Sequence, residues 1–166
     1  VEFILQDIRT LPFKERYDIV TCWYDSLNYI LELEDLEKVF AGVTRALKGG
    51  GIFIFDMNTI YGLAVHWQRH PCYVQQDTSE LFEIHRTNYD FERNIATLRI
   101  TGFMEKGKVW VRIEEEHKER GYSLSEIRQS LKKAGLQELA CWGNLQKMNE
   151  PEPDSGRVWF VTRKEI

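Results

Sequence analysis

No apolar run in the 166-residue sequence is long enough to span a bilayer, and its start shows no signal-peptide pattern. No basic run exceeds Arg163-Lys164, and 22 Lys and Arg against 26 Asp and Glu leave a net charge of −4. That excludes the positive footprint of a nucleic-acid binder. The three cysteines, Cys22, Cys72 and Cys141, are odd in number and widely spaced. Neither a disulfide framework nor a zinc ribbon fits them; reduced thiols of an intracellular protein do. Repeats and low-complexity segments are absent too. The expectation is a cytoplasmic protein without membrane or nucleic-acid partners.

With 43% hydrophobic and 13% aromatic residues the chain can bury one core, so residues 1–166 read as a single domain. The organising stretch is Ala46 to Thr59, ALKGGGIFIFDMNT: a helix end, a glycine stop, a continuous apolar run at Ile52 to Phe55, and polar residues at its end. Such a strand is expected in a parallel sheet covered by helices on both faces, with ligands bound at its carboxyl end. Leu36, Val39, Phe40, Val43 and Leu47 fall on one face of the preceding helix, with Gly49 as its left-handed stop. Before it, Tyr17 to Trp23 is β-branched and aromatic enough to be a strand parallel to Ile52 to Phe55. Phe3 to Leu5 reads as an earlier strand. Since the sequence opens with Val1 already in that stretch, the domain is expected to be incomplete at its N-terminus.

Leu81 to Phe91, Ile95 to Met104 and Lys108 to Glu116 are extended stretches spaced as an antiparallel meander. Residues 60–119 are therefore expected to form an insertion, a lid that stands off the main sheet, entered through Tyr61 to Gln76 as a loop or short helix. Ser123-Leu124-Ser125-Glu126 is a capping box, and Gly135 ends the helix it opens. Leu136 to Leu145 and Arg157 to Thr162 then make two strands joined by a loop without a helix, hence antiparallel neighbours.

The two strand ends Trp23-Tyr24-Asp25-Ser26 and Asp56-Met57-Asn58-Thr59 bring polar and aromatic groups to one sheet edge. Asp7 closes the first stretch, either as a turn cap or as a carboxylate for a ligand's amino or hydroxyl group. Trp23 serves equally as sheet-end packing. Asp25, Asp56 and Asn58 are candidates to orient a bound substrate, with capping as their other role. Tyr61, His66 and Trp67 are candidates to line its pocket under the meander. The spacing of His66, His70 and Cys72 fits a helix only for the first pair and Pro71 interrupts it, so no metal site is assigned. Glu114-Glu115-Glu116 reads as a solvated strand end.

Phe3 to Phe13 (FILQDIRTLPF), Tyr17 to Tyr29 (YDIVTCWYDSLNY), Leu36 to Asn58, and His117 to Tyr122 leading to Ala134-Gly135-Leu136 resemble, in order and spacing, the successive blocks of a class I S-adenosylmethionine-dependent methyltransferase. The resemblance implies a Rossmann-like, mostly parallel sheet of order 3-2-1-4-5-7-6 with an antiparallel last strand. It implies S-adenosylmethionine as cofactor, with Asp7 and Ile8 at the adenine and Cys22, Trp23 and Tyr24 along the methionine part. The glycine-rich turn after the family's first strand and the acid after its second have no counterpart here. Gly49-Gly50-Gly51 precedes a strand, whereas a nucleoside loop must open a helix. Methyl transfer to a small-molecule acceptor is the expected function; a non-catalytic binding or assembly module derived from the same fold is the alternative. Because the strand at Ile19 would lack its family neighbours, its edge is expected to be filled by unrecorded chain, by the Phe3 strand, or by a second copy in a homodimer.

Overall fold

The computed structural model describes all residues, 1–166. Its centre is the pair expected from the sequence: β1 (Tyr17–Cys22) runs parallel to β2 (Leu47–Asn58), joined by helix α1 (Leu33–Ala46). The last strand, Arg157–Lys164, lies antiparallel on the other side of β2 and in turn pairs antiparallel with Leu136–Trp142. The result is a four-stranded mixed sheet in which three strands point one way and the last opposes them.

Three details differ from expectation. Phe3 to Leu5 forms no strand: it has no ladder partner, and Phe3 and Leu5 are almost wholly exposed. An apolar triplet becomes a strand only where another strand satisfies its backbone, and β1 leaves that edge open. Second, the left-handed glycine is Gly50, not Gly49, and it lies within β2. Pairing jumps from Tyr17↔Leu47 to Ile19↔Ile52, so Lys48 to Gly51 bulge out of the ladder. At Gly51 a Cβ would stand 3.0 Å from the Lys48 carbonyl oxygen and 3.1 Å from that of Asp18, so any larger residue would crowd the bulge against β1. Third, β2 is not covered on both faces. Phe53, Phe55 and Met57 are fully buried, whereas Ile52 and Ile54 on the opposite face are half-exposed.

Both helices lie on the Phe53 side. A second helix spans Leu124–Lys133, opened by the expected capping box: Ser123 Oγ accepts from Glu126 N, and Glu126 Oε2 accepts from Ser123 N at 2.8 Å. Gly135, at φ 74°, ends it. Leu36, Val39, Phe40 and Val43 from α1 and Ile127 and Leu131 from this helix share one core with the sheet. Its centre is aromatic: the ring of Phe55 is 4.8 Å from Phe53, 5.0 Å from Phe160 and 5.6 Å from Phe40. Truncating Phe55 to alanine would remove all three contacts, a loss of about 3–5 kcal/mol.

The meander is a separate antiparallel sheet of four strands in chain order: β3 (Cys72–Asp77), β4 (Leu81–Asp90), β5 (Ile95–Lys106) and β6 (Val109–Arg120). None of its strands pairs with β2, so it does stand off the main sheet. Its first strand was not expected; Cys72 to Asp77 is short, exposed throughout and polar at its end. A small core of Leu63, Tyr89 and Ala96 seats this sheet on a one-turn π-helix, Gly62–His66, and a 3₁₀ turn, Trp67–Arg69. The remaining strands are β7 (Leu136–Trp142) and β8 (Arg157–Lys164).

Candidate active site at the junction of the two sheets

The carboxyl ends of β1 and β2 meet the start of β8 and the end of β6 in one buried polar network. Tyr24 and Asp25, just past β1, both hold left-handed backbone at φ 57° and 52°. That conformation costs non-glycine residues free energy, and Asp56 supplies the compensation: its two carboxylate oxygens accept from Tyr24 N at 2.7 Å and Asp25 N at 3.1 Å. Asp56 also accepts from Arg157 Nη1, while Nη2 of that guanidinium lies 3.1 Å from Asp25 Oδ2. Asn58 Nδ2 donates to Asp25 Oδ2 at 2.5 Å and to Glu119 Oε2 at 2.9 Å. Asn28 fills the remaining position, its Oδ1 accepting from Asn58 N and its Nδ2 donating to the carbonyls of Asn58 and Arg120.

Three carboxyl groups and one guanidinium are thus gathered with little water. Glu119 is 2% exposed, and burial, aided by the neighbouring Asp25 carboxylate and opposed by the Asn58 hydrogen bond, pushes its carboxyl up to about 7.

The expected residues fall into three places. Asp25, Asp56 and Asn58 come together in this network, with Asp56 and Asn58 buried in backbone and ion-pair contacts. Trp23 and Tyr24 keep their rings exposed and, with Asp56, Leu145, Arg157 and Trp159, line a cleft of about 410 Å³. Tyr61, His66 and Trp67 lie beneath the second sheet. Tyr61 packs edge-on against the His66 ring at 5.0 Å, and the Trp67 carbonyl accepts from Thr87 Oγ1 of β4. His66 and Trp67 line a further cleft of about 560 Å³ with His70, Tyr73, His85 and Leu98. His70 and Cys72 are both exposed.

Asp7 and Ile8 stand apart from these. Asp7 caps a 3₁₀ turn, Ile8–Thr10, its Oδ1 accepting from Arg9 N at 2.9 Å. Hydrogen bonds from the Arg9 side chain and backbone hold its carboxyl down at about 2. Ile8 and Cys22 pack on the edge of the main core, and burial pushes the Cys22 thiol up to about 11.

Sequence reasoning missed Glu119, His117, Arg157 and Asn28 as site residues. On β6, Glu115, His117 and Glu119 alternate with Glu114, Glu116 and Lys118, so they share one face of the strand. The alternation was readable in HKERGY; the partners, 61 residues away for Glu119 and Asn58, were not.

A family model described as a methyltransferase domain matches residues 1–51. The curated "Putative methyltransferase YqeM" of Bacillus subtilis is 26% identical over 164 residues, 98% of this chain and 65% of that protein. Among solved structures, an S-adenosylmethionine-dependent methyltransferase from Clostridium acetobutylicum superposes with a TM-score of 0.85 at 29% identity, covering 98% of this chain and 64% of that one. SAM-bound CalS10, an amino pentose methyltransferase from Micromonospora echinaspora, shares the fold at a TM-score of 0.66 and 14% identity, over 96% of this chain and 63% of its own. The chain thus spans a little under two-thirds of the relatives it matches. Over nearly all of its length the chain is similar to S-adenosylmethionine-dependent methyltransferases, and its first 51 residues match a methyltransferase domain.

Proposed function

We propose that this protein transfers a methyl group from S-adenosylmethionine to a small molecule, and that residues 60–119 act as the lid over the acceptor. The observation that carries the reading is the turn at Tyr24 and Asp25. Its left-handed backbone is fixed by Asp56 and Arg157 at the carboxyl end of a parallel strand pair, where open α/β sheets bind ligands. A rigid turn there holds two exposed aromatic rings, Trp23 and Tyr24.

These residues suit the cofactor. Bound S-adenosylmethionine brings a methyl group on a cationic sulfonium, and aromatic faces attract cations. Trp23 and Tyr24 would lie along its methionine part, beside Cys22. Asp7, anionic at all ordinary pH and exposed, would accept from an amino or hydroxyl group of the nucleoside, next to Ile8. The acceptor side would be shared between the junction network, with Asp25 and Asn58, and the segment beneath the second sheet, where His66 and Trp67 line a cleft with Tyr61 packed against His66, while Asp56 acts by fixing the turn. Orientation of the nucleophile then supplies most of the acceleration, because the sulfonium is already an excellent leaving group.

Calorimetric titration of the full-length gene product with S-adenosylmethionine tests this. Saturable 1:1 binding, weakened about tenfold in Asp7→Ala as one charge-assisted hydrogen bond is lost, is expected. Absence of binding to the folded protein would overturn it.

A further inference from the structure

The sequence contains four histidines, three of which line one cleft against the second sheet while the fourth lies on the same face of that sheet. His66, His70 and His85 line the cleft with Leu98, and Leu98 stands directly opposite His117 in the β5–β6 ladder. Two of them are built into matching arrays. Tyr73 Oη lies 3.1 Å from His85 Nδ1, whose Nε2 meets Glu83; Tyr29 Oη lies 3.1 Å from His117 Nδ1, whose Nε2 lies 3.2 Å from Glu115 Oε2.

The arrays differ in place. Tyr73 is on β3, at the outer edge of the sheet. Tyr29 closes a 3₁₀ turn, Ser26–Tyr29, that begins immediately after Asp25. Its hydroxyl reaches His117, two residues before Glu119 on β6, so it stands where the main sheet meets the second one, close enough to feel the Glu119 and Asp25 carboxylates, and the residue is about half exposed.

Hydrogen-bond logic sets the direction of this array. A carboxylate can only accept, so His117 Nε2 must carry a hydrogen toward Glu115. In the neutral ring Nδ1 is then the acceptor, and the Tyr29 hydroxyl donates to it. The tyrosine oxygen keeps its lone pairs for another donor. Burial and the nearby Glu119 and Asp25 carboxylates raise the Tyr29 hydroxyl above its usual range, so it stays a phenol and passes a proton on rather than holding a negative charge.

We propose that Tyr29, backed by His117 and Glu115, takes up the proton released by the methyl acceptor, and that the acceptor is accordingly an N–H or O–H nucleophile. This rests on the methyltransferase reading above. The acceptor's nitrogen or oxygen lone pair forms the new bond to the methyl carbon, the C–S bonding pair leaves with sulfur, and one proton must go elsewhere. It moves to Tyr29 Oη as the phenolic hydrogen moves to His117 Nδ1. The resulting imidazolium is held by Glu115. Tyr29 is the catalytic residue of the pair and His117 a positioning residue acting through it.

Two measurements test the proposal. In histidine-¹⁵N-labelled protein, long-range ¹H–¹⁵N spectra should show His117 protonated on Nε2, with an Nδ1 resonance that shifts toward its unbonded position in Tyr29→Phe. In turnover with methyl-tritiated S-adenosylmethionine and a primary amine, a phenol, a thiol and a carbon acid as probes, label should appear on the amine or the phenol, and which of the two distinguishes the N–H from the O–H source. Tyr29→Phe and His117→Gln should lower kcat on the order of 100-fold, the contribution of a positioned proton acceptor, with KM changed by less than about threefold. The opposite tautomer, a resonance indifferent to Tyr29→Phe, label on the thiol, the carbon acid or none of the four, or an unchanged kcat overturns it. Calorimetry with S-adenosylmethionine separates the two readings: loss of cofactor binding sinks the methyltransferase reading, while the tautomer result judges the array independently.

Discussion

Asn58, the last residue of β2, donates its side-chain amide to Oε2 of Glu119 on β6 at 2.9 Å, a direct side-chain tie between the two sheets. The tie is made to a carboxyl whose ionisation the fold opposes. Burial holds Glu119 near 7, against 4.5 for the group in an open chain. Below about pH 4.5 both folded and unfolded states carry the proton and the contribution to stability is complete. Between about 4.5 and 7 the unfolded chain loses its proton first, so stability falls with rising pH; above 7 the effect levels off. The span corresponds to about 3 kcal/mol. Glu119→Gln retains an oxygen to accept from Asn58 but cannot titrate. Urea unfolding of both proteins from about pH 4.5 to 7.5 should show the wild-type advantage shrinking by that amount; a pH-independent difference would mean that Glu119 ionises as an open-chain carboxyl.

Asp56 is 2% exposed and serves two backbone amides and Arg157 at once. Asp56→Ala is expected to cost about 3–5 kcal/mol, since it leaves Arg157 without one counter-charge and the left-handed turn without its acceptor. Arg157→Ala should cost less, because Asp56 keeps the two amides. In a double-mutant cycle by urea denaturation the two losses should fall short of additivity by about 1–3 kcal/mol. Simple additivity would show that the ion pair is not what couples β8 to the turn.

The capping box makes a more local prediction. Ser123→Ala removes the acceptor for Glu126 N and one partner of Glu126 Oε2. A loss of about 1 kcal/mol in unfolding free energy is expected, without change in the second sheet's amide spectrum. A larger loss would place Ser123 in the core rather than at a helix end.

What could be read from the sequence divides along the range of the interactions. The box at Ser123 to Glu126 and the stop at Gly135 are complete within a few residues, and they appear as expected. The parallel pairing of β1 and β2 follows from apolar runs and connection rules, the place of β8 beside β2 from the family resemblance, and both appear. Coverage of β2 did not follow, because a run such as Ile52-Phe53-Ile54-Phe55 reads as buried on both faces whichever face the helices take. The run at Phe3 to Leu5 likewise looks like a strand until its missing partner is seen. At the candidate site, Asp25, Asp56 and Asn58 were visible as polar residues closing apolar strands. Glu119 and His117 were not, since at the end of a charge-rich strand they are indistinguishable from the solvated Glu114 and Glu116 until the fold brings Asn58 and Tyr29 against them.

Two glycines where the π-helix meets the start of β8 make the last test, because their side chains would meet different kinds of obstacle. A Cβ on Gly62 would lie 2.0 Å from the carbonyl oxygen of Gly156, an atom already fixed by accepting from Thr59 N at 3.1 Å. Backbone on both sides cannot yield without moving β8 away from the π-helix, so Gly62→Ala should cost about 2–3 kcal/mol or more. A Cβ on Gly156 would lie 2.4 Å from Nδ1 of His66, the far end of an exposed side chain. That ring can rotate away, so Gly156→Ala should change stability by less than about 1 kcal/mol while carrying the imidazole out of its edge-on contact with Tyr61. Urea unfolding ranks the two variants, and the His66 ring-proton shifts, which lose the Tyr61 ring current in Gly156→Ala, report the displacement. If Gly156→Ala proved the more damaging of the two, the close approach of the π-helix to the start of β8 would be wrong.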